Sequence, residues 1–344
     1  MADSEICVIG AGLAGLAVAL HLAGTGRGVT CYGDSKAGAS LSNFGQLHSG
    51  AVYAPVLPEI ATDCWEHRTR WFPYLDSPGR FPGGLGLFAE QEQADRYVRA
   101  WRDLNIPVVG IDPRDTGSAI GTPNPHPAAA FRLPDVTADT ALLHQRLAAH
   151  AASVGVRLVA PAECQLTRDD TVVIAFAGGE RLASRLIVLC AGTGTVPALD
   201  QAGLRHPLAL SYLPYGFVPS RIDAPLAYWL DDDMLAISPA PGGVSAALPG
   251  RSPDKTGTEP ERSRLAESVS RHWPSLAWER LTSRRGIAAE PRGDQADPSA
   301  QVIDLRVSGP TWDEADNLIV CLPGKWTTAW KAADQVLAAV EGRA

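Results

Sequence analysis

One short segment carries the side chains best suited to move a proton or to hold a bound molecule. His48 is the leading candidate for a general base, because histidine exchanges protons near neutral pH. Tyr53 and Asn43 in the same segment could hydrogen-bond a cofactor or a substrate. Ser40 and Gln46 add further polar groups, which are too many for a simple linker. The alternative is a surface loop with a structural histidine.

A second polar group stands at the start of the last predicted helix. Lys325, Thr327 and Thr328 directly precede a helical pattern that begins near Ala329. A helix N-terminus with a nearby cation stabilises negative charge, so this group suits a bound molecule that becomes anionic during a reaction. The alternative is a helix cap beside a solvated lysine.

Three glycines at the beginning of the chain indicate which kind of molecule is bound. Gly10, Gly12 and Gly15 form G-x-G-x-x-G between an apolar strand-like run at residues 6–9 and a helical pattern. A second strand follows at residues 29–32, which completes a βαβ unit. The first glycine allows the tight turn, the second lets backbone N–H groups approach a pyrophosphate, and the third lets helix and strand pack closely. This unit predicts dinucleotide binding.

The residue expected to hold a ribose hydroxyl is displaced in this sequence. A carboxylate usually follows the third glycine by about twenty residues. That place falls on Gly33, and Asp34 is its neighbour. Asp34 is the favoured ribose ligand, and the alternative is that the ribose is held in another way.

Composition limits the class of protein. A chain of 344 residues with a net charge of −8 and no Lys/Arg-rich run argues against a nucleic-acid partner. No apolar run reaches the length of a membrane span, and the first one follows acidic residues and does not resemble a signal peptide. The six cysteines are single and show no metal-ligand spacing, so we expect reduced thiols, a cytoplasmic location and no metal site.

The predicted elements indicate an α/β, two-domain (α+β) fold with interleaved segments. A Rossmann-like nucleotide-binding domain takes residues 1–78, 137–205 and 286–344. Residues 79–136 and 206–285 form a second, substrate-binding domain on a largely antiparallel β-sheet. The pattern also predicts a helix over residues 60–75 that is closed by Pro73.

At this point the sequence resembles the D-amino-acid-oxidase-like superfamily of FAD-dependent oxidoreductases. Four motifs carry the resemblance, namely Gly10 to Gly15, Ser40 to Tyr53, Leu186 to Thr193 and Gly324 to Thr328, in the family's order. The segment around His48 is most similar to the L-2-hydroxyglutarate dehydrogenase branch. The last motif is similar to that of FAD-linked glycerol-3-phosphate dehydrogenases.

The resemblance implies FAD as the cofactor and a substrate pocket roofed by the second domain's sheet. It also implies roles for individual residues. His48, Lys325 and Tyr53 would be catalytic. The implied FAD-binding residues are Gly10, Gly12, Leu13, Ala14, Gly15, Asp34, Ser40, Asn43, Gly45, Gln46, Leu47, His48, Cys190, Ala191, Gly192, Gly324, Lys325, Trp326, Thr327 and Thr328.

One departure from the family pattern concerns the substrate. Relatives that bind a carboxylate or a phosphate often carry Gly-x-Arg on a late strand. Here Ala288, two residues after Gly286, stands in place of that arginine. A bidentate arginine at this position, which such anions favour, is therefore missing.

The expected reaction is hydride transfer from the CH–OH centre of a small polar metabolite to flavin N5. Oxidation of a CH–NH centre, as by an amine or amino-acid oxidase or dehydrogenase, is the first alternative. A non-redox or RNA-modifying flavoprotein is a further alternative, which the missing basic surface disfavours. Covalent attachment of the flavin to His48, as in some relatives, is another alternative role for this residue. Oxygen, a quinone or a protein could accept the electrons.

Overall fold

A computed structural model describes residues 4–33, 45–75, 83–116, 123–160, 164–220, 226–231, 234–240, 242–250, 259–276, 278–292, 301–307 and 309–343. Asp34, Ser40 and Asn43, which the sequence assigned to the cofactor, lie outside these residues.

The described residues form seven α-helices, numbered in chain order. They are α1 (Leu13–Ala23), α2 (Pro58–His67), α3 (Gln91–Asp103), α4 (Thr140–Ser153), α5 (Thr195–Gln201), α6 (Glu259–His272) and α7 (Ala329–Glu341). Short 3-10 turns include Arg68–Tyr74, Gly192–Gly194 and Trp326–Thr328.

The same residues form nineteen β-strands. In chain order they are β1 (Ser4–Ile9), β2 (Val29–Tyr32), β3 (Gln46–Leu47), β4 (Leu85–Phe88), β5 (Val109–Ile111), β6 (Ala129–Arg132), β7 (Val136–Thr137), β8 (Arg157–Val159), β9 (Cys164–Asp169), β10 (Val172–Ala177), β11 (Glu180–Arg181), β12 (Ser184–Leu189), β13 (Leu208–Pro219), β14 (Ala227–Trp229), β15 (Leu235–Ala240), β16 (Gly243–Ala247), β17 (Thr282–Pro291), β18 (Gln301–Asp304) and β19 (Leu318–Leu322).

The chain divides into two compact units, each assembled from separate segments. The first unit comprises Met1–Ser42, Thr140–Leu210 and Ile287–Ala344. The second comprises Asn43–Asp139 and Ser211–Gly286. Residues 45–75, which the sequence grouped with the nucleotide-binding domain, fall in the second unit by their contacts.

The first unit is organised around a six-stranded sheet with the order β18-β19-β12-β1-β2-β8. Five of these strands run parallel, and β18 is antiparallel to β19. Strand β19 is apolar along its whole length, and β1 and β12 are apolar from Ile6 and Leu186 onward, because both faces of a parallel sheet are covered. Helix α1 packs against α7 and α4, and β9, β10 and β11 form a separate antiparallel sheet.

The second unit is organised around an eight-stranded sheet with the order β17-β13-β16-β15-β14-β4-β6-β5. Most of its described pairs are antiparallel, as predicted, whereas β14 and β4 are parallel. Alternate residues of β14 face different cores because side chains of a strand alternate. Trp229 lies in the core cluster that includes Val269 of α6, whereas Tyr228 lies in the cluster that includes Phe88 of β4 and Trp101 of α3.

The predicted helix over residues 60–75 is wrong in its extent. Helix α2 ends at His67, and a 3-10 turn continues from Arg68 to Tyr74 with Pro73 inside it. Pro73 lacks an N–H and therefore cannot extend the α-helical hydrogen-bond pattern. The apolar spacing of the helix continues into the 3-10 turn. Trp71 in the turn follows Cys64 in the helix at a helical spacing, and both side chains are fully buried.

Candidate active site

The glycine turn of the first unit is shaped by close backbone packing. Gly10 has a φ of +114°, and a Cβ there would lie 2.3 Å from the carbonyl oxygen of Cys190. A Cβ at Gly15 would lie 1.7 Å from the carbonyl oxygen of Gly10. Both contacts are shorter than any side chain tolerates, so these two positions require glycine. The structure thus explains the first and third glycines of the motif by packing within the chain.

Gly33 is also required by packing, which explains why no carboxylate stands there. A Cβ at Gly33 would lie 2.4 Å from the backbone nitrogen of Ala11, in the glycine turn. The end of β2 therefore lies directly against the turn that follows β1.

Three of the predicted cofactor segments meet at one edge of the six-stranded sheet. Strands β1, β12 and β19 are parallel neighbours, and their carboxyl ends lead into Gly10–Gly15, Cys190–Gly192 and Gly324–Thr328. The backbone N–H of Cys190 donates to Ile9 (2.7 Å), which joins the first two segments. Ligands of open parallel sheets bind outside the carboxyl ends of the strands, so this edge is the candidate nucleotide site.

The last of these segments is a tight turn that leads into α7. Gly324 has a φ of +67°, and the Thr328 hydroxyl lies 2.7 Å from the carbonyl oxygen of Pro323 and 3.0 Å from that of Lys325. Trp326, Thr327 and Thr328 are buried, whereas Lys325 is half-buried. The Thr328 side chain therefore holds the turn, and Lys325 retains access to solvent.

His48 belongs to a polar cluster in the second unit. Its Nδ1 lies 3.5 Å from Asp135 Oδ2, and its Nε2 lies 3.5 Å from the Tyr53 hydroxyl. The rings of His48 and Tyr53 meet edge to face, with their centroids 5.3 Å apart. The structure thus brings together the two predicted catalytic residues of this segment and adds a carboxylate.

Asp135 is fully buried, and its carboxylate is surrounded by donors. The backbone N–H of Ser49 donates to Oδ1 (2.7 Å), and the Ser49 hydroxyl also hydrogen-bonds Oδ1. The Tyr228 hydroxyl donates to Oδ2 at 2.5 Å. Burial alone would raise the pKa of Asp135, but His48, Ser49 and Tyr228 together bring this pKa below its ordinary value. Asp135 is therefore an anion at neutral pH.

Tyr228 remains a neutral donor in this cluster. Its burial and the neighbouring charge of Asp135 raise the pKa of its hydroxyl well above the ordinary value. The Tyr228 ring packs in the core of the second unit, and this packing holds the Tyr228 hydroxyl in place.

A half-buried arginine lies beside the cluster. Arg68 donates to the carbonyl oxygen of Pro134 (3.3 Å), and its guanidinium lies 3.8 Å from the ring centroid of Trp65. Burial lowers the pKa of Arg68, whereas the charge of Asp135 raises it. Arg68 thus supplies a positive charge that partly balances the buried carboxylate.

Strand pairing explains how His48 and Asp135 meet. Strands β3 and β7 are antiparallel, with Leu47 opposite Val136. The next residues along the two strands are His48 and Asp135, which therefore lie side by side. A Cβ at Gly45 would lie 2.8 Å from the carbonyl oxygen of Ala138, which limits this position to glycine at the other end of the pair.

The predicted site residues thus form two groups. Those in the first unit meet at the carboxyl edge of its sheet: Gly10, Gly12, Leu13, Ala14, Gly15, Cys190, Ala191, Gly192, Gly324, Lys325, Trp326, Thr327 and Thr328. Those in the second unit lie on or beside β3: Gly45, Gln46, Leu47, His48 and Tyr53. Sequence reasoning missed Asp135 and Ser49, and it did not link Tyr228 to His48. Asp135 stands between Pro134 and Val136, and this placement indicates an unusual position for an aspartate. No sequence feature near Asp135 links it to His48.

The first unit is suited to a dinucleotide. Helix α1 begins after Gly12 with no side-chain cap and no acidic residue in its first turn, so its N-terminal N–H groups and dipole favour a pyrophosphate. Gly192 and Gly324 are exposed at the same edge, where they leave room for a close backbone approach. The donor set therefore fits FAD. The described residues include no group of His, Cys, Asp and Glu suited to a metal ion.

A family model described as FAD dependent oxidoreductase matches residues 5–333. No curated protein matches the sequence. Among solved structures, glycine oxidase from Geobacillus kaustophilus is similar, with a TM-score of 0.71, 17% identity and coverage of 98% of this chain and 95% of that chain. L-alpha-glycerophosphate oxidase from Mycoplasma pneumoniae, with FAD bound, also has a TM-score of 0.71, with 15% identity and coverage of 99% and 95%. L-proline dehydrogenase from P. horikoshii has a TM-score of 0.69, with 15% identity and coverage of 99% and 94%.

The fold, the nucleotide edge and the family match define the class of protein: this chain is a flavoenzyme with a Rossmann-like domain. It belongs to the DAO family of FAD-dependent oxidoreductases. The predicted fold class, cofactor and enzyme class are confirmed. In the part of the chain that the structure covers, no helix has the length and apolarity to span a bilayer.

Proposed function

We propose that this oxidoreductase oxidises the CH–OH centre of a small polar metabolite, with His48 as the general base. The observation that carries the proposal is the buried Asp135 carboxylate beside His48 Nδ1. Oxidation of an alcohol releases a hydroxyl proton, so it needs a base that is held in one orientation. Oxygen, a quinone or a protein would then accept the electrons.

Three segments of the first unit would hold FAD. Gly10–Gly15 and the N-terminus of α1 would bind the pyrophosphate, while Cys190–Gly192 and Gly324–Thr328 would line the rest of the cofactor. When bound, FAD supplies the hydride acceptor at its N5 atom.

His48 would use one nitrogen for orientation and the other for the proton. Asp135 is an anion, so it favours a proton on the nearer nitrogen, Nδ1. Nε2 is then the basic nitrogen, and it would take the hydroxyl proton of the substrate. The imidazolium that forms is stabilised by Asp135, as a carboxylate stabilises the histidine of a catalytic triad. Tyr53, 3.5 Å from Nε2, would hydrogen-bond the substrate oxygen.

Lys325 would act electrostatically in the first unit. It is half-buried at the turn before α7, where its charge and the helix N-terminus both favour a neighbouring anion. We therefore assign Lys325 to stabilising the negative charge that builds up during the reaction.

Oxidation of a CH–NH centre is the second candidate. Two structures with the same fold are a glycine oxidase and an L-proline dehydrogenase, which are named for amino-acid substrates. An amine substrate must lose a proton from nitrogen before or during hydride transfer, so His48 could serve it in the same way. Ala288 on β17 leaves both candidates without the arginine that commonly binds a substrate carboxylate in the family.

The test replaces His48 by alanine and follows anaerobic bleaching of the bound flavin by a substrate of the wild-type protein. We expect the variant to retain FAD and to be reduced about 10²-fold more slowly, because it has lost the proton acceptor. His150→Ala, at an exposed position of α4, is the control and should match the wild type. An unchanged rate of reduction in His48→Ala would remove His48 from the mechanism.

A further inference from the structure

A buried histidine contacts the glycine turn of the first unit from the helix side. His144 of α4 is buried, and its Nε2 lies 2.6 Å from the carbonyl oxygen of Ala11. A carbonyl oxygen only accepts hydrogen bonds, so Nε2 must carry the proton and donate it. The residue was not singled out by the sequence patterns, because it occupies an ordinary apolar position of α4.

This hydrogen bond fixes one peptide group of the turn. Ala11 lies between Gly10 and Gly12, and Gly33 packs against its backbone nitrogen so closely that a Cβ would come within 2.4 Å. The peptide that joins Ala11 to Gly12 is planar and trans, so its N–H points opposite to its carbonyl. With the carbonyl held by His144, the N–H of Gly12 is directed away from α4.

The direction of that N–H matters because Gly12 is the residue from which α1 starts. N–H groups at a helix start have no intrahelical partner and form anion sites with the helix dipole. If the carbonyl of Ala11 were free, the peptide could rotate and present an oxygen, which repels an anion.

We propose that His144 is a positioning residue for the pyrophosphate of FAD. It acts through the Ala11–Gly12 peptide and does not itself touch the cofactor. The proposal rests on the placement of the pyrophosphate at Gly10–Gly15. It is independent of the role of His48 and of the substrate.

The experiment measures binding to the full-length protein after removal of FAD. ADP carries a pyrophosphate and adenosine does not, and each is titrated as a competitor of FAD. His144→Leu fills the same space without a donor, whereas His144→Gln places an amide N–H near the position of Nε2. His150→Leu on the exposed face of α4 is the control. If His144→Leu does not fold, His144→Asn replaces it, because its shorter amide falls short of Ala11.

We expect His144→Leu to weaken ADP about tenfold or more and to leave adenosine within about twofold, since one buried hydrogen bond is lost. His144→Gln should recover most of the ADP affinity. Unchanged ADP affinity in His144→Leu, or an equal loss for ADP and adenosine, would overturn the proposal. A wild-type protein that does not prefer ADP to adenosine would instead overturn the pyrophosphate placement, and the proposal with it.

Discussion

Asp135 is a fully buried polar neighbour of His48. Its side chain is held by Ser49 and Tyr228. A carboxylate in this position can keep one histidine tautomer and stabilise its protonated form. The proposed base is therefore a pair, in which Asp135 would set the orientation and His48 would exchange the proton.

Replacing Asp135 by asparagine tests that pair. We expect Asp135→Asn to retain FAD and to slow anaerobic flavin reduction by about 10²-fold or more, because the amide favours the wrong tautomer and cannot stabilise the imidazolium. Asp103→Asn, at the exposed end of α3, is the matched control. Stopped-flow absorbance measures both. Wild-type reduction rates in Asp135→Asn would contradict the role of Asp135.

The lowered pKa of Asp135 also predicts how stability depends on pH. Its pKa is below the ordinary value in the folded state, so the carboxylate contributes stability above its unfolded pKa, and this contribution is lost as pH falls through the folded pKa. Asp135→Asn lacks this contribution and should be less stable at neutral pH by about 3 kcal/mol.

Urea unfolding tests this prediction. The free energy of unfolding is measured for the wild type and for Asp135→Asn at a series of pH values between neutral and about pH 2. The difference in the free energy of unfolding should shrink as the pH falls below about 5, where the Asp135 carboxylate becomes protonated. A difference that stays the same throughout the acid range would show that Asp135 is not a stabilised anion.

At the scale of elements, the pairing of β3 with β7 places His48 beside Asp135. The pair is only two residues long on each side, and it joins segments that are far apart in the chain. No sequence periodicity of such short strands reveals their register. This is why His48 and Tyr53 could be predicted from one segment, whereas their neighbour Asp135 could not.

Elements with strong local signals were predicted well. The βαβ unit was expected from an apolar run, three glycines and a helical repeat, and β1, α1 and β2 confirm it. A glycine pair is a local turn signal of the same kind: Gly178 and Gly179 both have a positive φ, and they lie between the paired residues Ala177 and Glu180. The prediction of one α-helix over residues 60–75 was wrong. The apolar spacing of α2 continues into the 3-10 turn that follows it, so the sequence pattern did not show where the α-helix ends.

Gly33 offers a test of the contact between β2 and the glycine turn. Gly33→Ala would bring a Cβ to 2.4 Å from the Ala11 nitrogen and should displace the turn. We expect FAD affinity to fall about tenfold or more, because the N–H groups that face the pyrophosphate move with the turn. Gly28→Ala, before the other end of β2, is the control, since its nearest contact would be 3.7 Å.

FAD fluorescence during titration of the FAD-depleted variants measures both affinities. An FAD affinity of Gly33→Ala equal to that of Gly28→Ala would contradict the importance of this contact.

At the scale of the whole molecule, each unit is assembled from segments that are distant in the chain. The first unit takes three segments and the second takes two, so neither corresponds to a continuous stretch of sequence. The sequence predicted this interleaving because motifs of one nucleotide site recur near the start, the middle and the end of the chain. The substrate could not be derived in the same way, because Ala288 stands where the family's anion-binding arginine is expected.

We propose that the whole protein, which is a flavoenzyme, oxidises a CH–OH centre with the help of His48. The most direct measurement is anaerobic bleaching of the yellow holoenzyme by a panel of hydroxy acids, polyols, amino acids and amino sugars. The account predicts that a hydroxy compound bleaches the flavin, that its amino analogue does not, and that His48→Ala slows the bleaching. Bleaching by amino compounds alone would contradict the claim.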